Sequence, residues 1–285
     1  MGCKTETTKQ NSTNVQIAQQ FEQQLEEKKQ QTKKIKLINE QETTLSARIN
    51  PPEGYIRKKY NNMIVSYLRN VKLKNHSAKV HLYDGRKKAN EVHEAVVDID
   101  VGKKDLQQCA DAVMRLWAEN LYEQKLFDQI HFNFTNGFKC DYAKWREGYR
   151  VKVVGNKTTW QKTADRNTSY ESFRDYLELV FMYAGTLSLS KELKPITINE
   201  IQPGDVFIWG GSPGHAVMVG DVCEHIETGE KLFLLLQSYM PAQDIHVLKN
   251  QNHPEISPWY KTNFGEKLYT PEWTFGKNAL MRFEQ

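Results

Sequence analysis

The run Ile201-Gln-Pro-Gly-Asp-Val-Phe-Ile-Trp-Gly-Gly-Ser-Pro-Gly-His215-Ala-Val-Met-Val-Gly-Asp-Val222 decides how the chain folds. Pro203-Gly204-Asp205 is turn chemistry, with proline fixing φ and glycine taking a backbone position that other residues avoid. Val206–Trp209 is short and apolar, which predicts a buried strand, and the glycine- and proline-rich segment 210–214 breaks it. His215 opens a second apolar strand, and Lys231–Gln237 supplies a third. A titratable imidazole and an amide are thus planted at the ends of otherwise apolar strands. Such groups add nothing to a buried sheet unless they are hydrogen-bonded. This run is therefore the first place to look for chemistry.

Upstream, Asp105–Glu119 carries the strongest helix signal. Asp105 with Gln108 three residues on fits a capping box, and Leu106, Cys109, Ala110, Val113, Leu116 and Trp117 form one apolar stripe. A second box, Thr168–Glu171, opens a helix through Phe173, Tyr176, Leu177, Val180 and Phe181 that ends by Gly185. Met63–Val71 reads as a short helix, and Ile130–Phe134 and Leu280–Phe283 as strands. Cys140–Arg150 reads as a short helix with a tight exit at Gly148. Val80–Tyr83, Asp84-Gly85 and Glu91–Val101 read as a β-hairpin about a strong turn dipeptide.

Residues 1–45 are rich in Lys, Glu, Gln and Thr, with Phe21 as their one aromatic. They form a disordered or transiently helical stalk, because they bury too little surface to order themselves. Residues 46–285 then form a single globular α+β domain. Gly2-Cys3 ahead of a polar stalk is similar to the processing site of a bacterial lipoprotein, which makes Cys3 the lipidation candidate. The N-myristoylation pattern fails at Glu6.

The 285 residues are 39% hydrophobic and 11% aromatic, enough for a full core. A net charge of +4 without a basic stripe argues against nucleic acid as a partner. No apolar run reaches membrane-spanning length. No His/Asp/Glu group has metal-ligand spacing, so neither a catalytic metal nor a cofactor is expected. Gly210-Gly211-Ser212 lacks the following Lys and helix of a phosphate loop.

Cys109 stands in the first turns of a capped helix, where unpaired N–H groups favour an anion. A nucleophile also needs a base and something to orient that base. His215 is the candidate base. Gln237 is the candidate orienter, because a hairpin about Glu227–Gly229 brings it near the position opposite His215. Gln108 is the candidate oxyanion donor. Against this, a free cysteine on an apolar stripe is commonly a packing residue. Cys140 is the rival nucleophile, with Asp141 beside it raising its pKa. Cys223, between Asp221 and Glu224, reads as structural. His246 and His81 alternate with apolar neighbours and read as facing solvent. Trp145, Arg150, Ser212 and Tyr239 are the candidate substrate-binding residues, although Trp145 and Arg150 also suit packing.

Two resemblances follow from these motifs. Gln202–Ile208 with Gly214–Asp221 resembles the strand pair of NlpC-type and CHAP-type cell-wall hydrolases. That resemblance implies a papain-like antiparallel sheet or partial barrel packed by helices, and an amide-cleaving Cys-His site acting on peptidoglycan. More closely, Asp105–Leu116, Tyr183–Leu189, Gly210–Val217 and Gln237–His246 resemble an uncharacterised bacterial family of unknown function whose members are often lipoproteins. It implies a membrane-anchored envelope protein facing the periplasm and contacting cell-wall peptide or glycan. The alternatives are a cytoplasmic location, an inactive binding module and a structural envelope lipoprotein. One departure matters. In NlpC-type enzymes the Cys helix comes shortly before the Pro-Gly-Asp strand, whereas Phe173–Ala184 contains no cysteine. The nucleophile must come from Cys109, across a long insertion, or be absent.

Overall fold

The structure is a computed structural model that describes residues 36–284. The chain divides at Lys36, and the unit from Leu37 onward holds the fold. Along it run α1 (Leu45–Arg48), β1 (Tyr55–Arg57), α2 (Met63–Asn70), β2 (His93–Val96) and α3 (Cys109–Glu123). Next come β3 (His131–Asn133), β4 (Lys139–Asp141), α4 (Tyr142–Arg146), β5 (Tyr149–Val154), β6 (Lys157–Lys162), α5 (Tyr170–Tyr183) and α6 (Thr186–Glu192). β7 (Lys194–Pro195), β8 (Val206–Trp209), β9 (His215–His225), β10 (Lys231–Gln237) and β11 (His246–Leu248) follow. The chain closes with β12 (Tyr260–Lys261), β13 (Lys267–Tyr269), β14 (Thr274–Gly276) and β15 (Leu280–Arg282).

The expected α+β architecture is present. Nine strands form one sheet in the order β2-β11-β10-β9-β8-β15-β7, with β1 added to β9 and β12 to β10. Every pairing in it is antiparallel. Residues 216–219 of β9 and 232–236 of β10 are uninterruptedly apolar because both faces of the sheet are covered. Ala216, Met218, Leu232, Leu234 and Leu236 enter a core shared with α1, α2, α3 and α5. Val217, Val219, Phe233 and Leu235 enter a second core, closed by Tyr260, Leu268 and Phe275 from the C-terminal segment. Each Val, Leu, Met or Phe among them contributes about 1.5–3 kcal/mol through burial.

A bulge bends the central strand. Asp221 pairs with Leu234 and Val219 with Leu235, so Gly220 has no partner of its own. A Cβ there would meet Leu236 Cγ at 3.0 Å and Leu45 Cδ2 at 3.4 Å, which explains the glycine. Asp221, fully buried, accepts from Arg57 Nε at 2.5 Å and Arg69 Nε at 2.8 Å. One carboxylate thereby ties β1 and α2 to β9.

Four expectations change. The Asp84-Gly85 turn forms, with φ +86° at Gly85, but closes only the His81–Lys87 bridge. The second half of the supposed hairpin, β2, pairs with β11 instead, where Ala95 and Val96 are buried. An isolated ribbon would bury far less. Residues 37–44, assigned to the stalk by composition, belong to the fold. Leu37 and Ile38 pack on the core, and Ile38 bridges to Ile49. His246 is fully buried rather than solvent-facing. Finally, the helix expected from Asp105 begins at Cys109. Asp105 Oδ1 is already occupied by Ala242 N–H at 2.7 Å and by the Gln108 amide at 3.0 Å. The capping carboxylate is Asp111, which accepts from Gln108 N–H at 3.0 Å. Cys3 and the rest of 1–35 lie outside the described residues.

Candidate functional site

Shifting the cap to Gln108 makes Cys109 the first residue of α3. Its sulfur lies 4.0 Å from the Gly214 carbonyl oxygen, and backbone N–H groups of Ala110 and Ala216 are aimed at it. The thiol is therefore held against the backbone on both sides of His215. α3 packs on β9 and β10, which fixes that approach.

His215 is buried, ringed by Tyr239 at 5.0 Å, Trp273 at 5.3 Å and Phe275 at 5.8 Å between ring centres. Its Nε2 lies 2.9 Å from Gln237 Oε1. The bulge sets the register that allows this. Leu236 opposes Met218, so Gln237 falls two positions from His215 on the same sheet face. Behind it, Gln237 Nε2 donates to Glu272 Oε2 at 2.7 Å, and Lys88 Nζ pairs with Glu272 Oε1 at 2.7 Å. Lys88 also lies 5.3 Å from the centre of the Tyr239 ring.

Glu272 settles which way the chain of hydrogen bonds runs. A carboxylate only accepts, so Gln237 must turn its NH2 to Glu272 and its oxygen to His215. The imidazole then carries its proton on Nε2, and Nδ1 holds a lone pair. Burial drives the His215 pKa down to about 4, opposed by the Gln237 hydrogen bond and the Glu272 charge. Burial pushes the Cys109 thiol up, with the Asp111 carboxylate second. At neutral pH the resting pair is a thiol and a neutral imidazole.

Cys109 is 7% exposed and opens onto a cleft of about 240 Å³. Gln108, Asp111, Thr186, Ser212 and Met240 are among the residues that line it, while His215 sits behind Gly214 and does not. Gln108 reaches the cleft with its amide nitrogen on Asp105, and Tyr239 packs on His215. So the structure places Cys109, Gln108 and Ser212 on the cleft and groups His215, Gln237 and Tyr239 behind Gly214, beside the second-core rings of Trp273 and Phe275, with the backbone of Gly214 and Ala216 as the link between the two groups. It does not bring Trp145 and Arg150 there. Arg150 stacks on Trp145 at 4.0 Å, and the indole N–H donates to Ser172 on α5. Cys140 and Cys223 are both fully buried, and burial pushes both thiols far up. Among the described residues, no group of three or more His, Cys, Asp or Glu side chains is placed to hold a metal ion.

Three residues escaped the sequence. Asp111 was legible as the acidic N3 residue of a helix starting at Cys109. Glu272 and Lys88 were not, because nothing in the tail or the Asp-Gly turn marks them as partners of Gln237.

A family model described as domain of unknown function 4846 matches residues 45–282, from α1 to β15. The chain belongs to that family. The DUF4846 match spans the whole sheet and every member of the Cys109–His215–Gln237–Glu272 arrangement. No curated protein and no solved structure matches the chain.

Proposed function

We propose that this DUF4846 domain is a papain-like cysteine hydrolase of amide bonds, related in design to NlpC-type enzymes. The observation that carries the proposal is the thiol at the first residue of α3, held against the backbone flanking a histidine whose Nε2 is bound to an amide. In the reaction, His215 Nδ1 takes the Cys109 proton as sulfur attacks the substrate carbonyl. The oxyanion is met by N–H groups at the start of α3 and by the Gln108 amide. Collapse of the tetrahedral species breaks the C–N bond, and the imidazolium returns the proton to the departing amine. Water, deprotonated by the same imidazole, then hydrolyses the thioester and frees Cys109. Because the resting pair is neutral, proton transfer accompanies attack rather than preceding it.

The proposed substrate is a peptide amide of peptidoglycan, and the proposed location is the periplasmic face of a bacterial membrane, with Cys3 lipidated. Purified chain incubated with peptidoglycan fragments should release new amino groups. Cys109→Ala should lower that rate at least ~1000-fold, as loss of a nucleophile does. Iodoacetamide should label Cys109 with a rate that climbs into the alkaline range, in keeping with the raised thiol. Absence of amine release, together with a Cys109 that resists alkylation in the folded chain, would refute the hydrolase.

A second reading is a non-catalytic module that binds envelope peptide or glycan in the same cleft. It is favoured by the separation of His215 from the cleft lining and by the upward push on the thiol. It requires Cys109→Ala to bind ligand as well as the parent does, with no turnover by either.

A further inference from the structure

Trp209 ends β8 with 59% of its surface exposed, the one exposed tryptophan among the described residues. A large apolar ring left in water forfeits the burial that other tryptophans here obtain, and such exposure marks contact sites. Trp209 stands in a groove of about 520 Å³, within the range of about 300–1,000 Å³ typical of small-molecule clefts. Gly276 forms part of its wall with open space where a side chain would stand, so a ligand can approach its backbone closely. The groove's charged groups cancel, because Lys277 Nζ is paired with Glu266 Oε1. Exposed Asn278 at its edge has no side-chain hydrogen bond among the described residues, leaving an acceptor and two donors for a ligand.

An open indole face, cancelled charge, a free amide and bare glycine backbone select for a neutral, hydroxyl-rich ring. Axial C–H groups of a pyranose carry partial positive charge and suit the negative face of an indole, while its hydroxyls need amide and carbonyl partners. A charged ligand would find no uncompensated counter-charge, and a protein partner would find a single apolar anchor. Trp209 is also the cross-strand partner of His215 in the β8–β9 register. Directly opposed residues have Cβ atoms about 4.5–5.5 Å apart. The 210–214 loop joins the two regions, since Gly210 lines this groove and Gly211–Gly214 line the Cys109 cleft.

We infer that the Trp209 groove is a saccharide subsite, which holds the sugar part of a glycan-linked ligand beside the Cys109 cleft. The inference rests on the hydrolase reading only for its link to turnover; saccharide binding stands by itself. The test is calorimetric titration of the full chain with the β-1,4-linked trimer of N-acetylglucosamine. The parent chain and Cys109→Ser should bind it equally. Trp209→Ala should bind at least tenfold more weakly, Trp209→Phe should retain most of the affinity, and Asn278→Ala should lose an intermediate amount. Circular dichroism checks that each variant is folded. No binding by the parent at ~20 mM saccharide, beyond the weakest useful affinities, would overturn the inference. So would undiminished binding by Trp209→Ala. Concentration-dependent self-association that Trp209→Ala abolishes, with no saccharide bound, would also overturn it by assigning the indole to a protein contact. If saccharide binds but Cys109→Ala leaves amine release unchanged, the subsite stands and the hydrolase falls.

Discussion

At the scale of single residues, the amide of Gln237 has the most to explain. Its oxygen faces His215 only because its nitrogen is committed to Glu272. Remove that carboxylate and the amide is free to turn over, which would place an NH2 against Nε2 and favour the tautomer with its proton on Nδ1. Such an imidazole cannot accept from Cys109. Glu272→Ala should therefore lower kcat by about 10–100-fold, part of the about 100–10,000-fold that general base catalysis supplies. KM should stay within about twofold, since Glu272 touches no part of the cleft. Glu272→Gln keeps an acceptor oxygen for Gln237 and should recover most of the rate. It removes a charge that raises the His215 pKa, so the acid limb of its rate profile should move below the parent's, expected near pH 4 where burial holds His215. A variant set in which Ala and Gln are equally impaired would argue that Glu272 merely holds the tail in place. Gln237 itself was legible, as an amide ending an apolar strand. Glu272 was not, since a carboxylate among tail aromatics looks like a solvated surface group until the chain is folded.

At the scale of elements, position was readable and pairing was not. Apolar runs and turn residues located β8, β9, β10, α2, α3 and α5 within a few residues, because periodicity and punctuation are local. Local signals do not say which strand β2 pairs with, and the Asp84-Gly85 turn pointed to the wrong one. Nor do they rank competing caps. Asp105 and Asp111 both suit the start of α3, and Ala242, distant in sequence, takes Asp105 away. That competition is what puts Cys109 at the helix start. The same non-local logic holds β1 and α2 on the sheet through Asp221. Asp221→Ala would leave Arg57 and Arg69 facing an apolar bulge, each about one-fifth exposed. Breaking a buried charge cluster at one partner is strongly destabilising, so a loss of about 3 kcal/mol is expected. Urea unfolding should show it as a lower midpoint with unchanged slope. A shift of a few tenths would mean that water already screens the cluster.

At the scale of the whole molecule, the sheet is a slab buried on both sides, and polar groups placed inside it pay in acid. His215 is held down to about pKa 4 and His246 to about 3, in both cases chiefly by burial. In an unfolded chain both would titrate near 6.5. The unfolded state therefore binds protons that the folded state refuses as pH falls below 6.5. Their contribution to stability is full above that pH and is lost as pH falls through 4 and then 3. For His215 this is on the order of 3 kcal/mol. Glu192 runs the other way, since burial raises its carboxyl to about 7. Its contribution is full below about 4.5, its unfolded value, and fades as pH rises through 7. Between pH 6.5 and 4.5 two histidine losses run against one glutamate gain, so stability falls with the slope of a single group; between 4.5 and 4 both histidine losses run unopposed, and below 4 only that of His246 continues, ending near 3. Thermal denaturation should accordingly show Tm falling gently from pH 6.5 to 4.5, most steeply between about 4.5 and 4, and levelling off near 3 as these groups finish titrating. His246→Leu removes one of the refused protons, so its loss of Tm between pH 5 and 3 should be smaller than the parent's, whatever cavity it leaves at neutral pH. A parallel fall in parent and variant would show that His246 is protonated inside the folded slab.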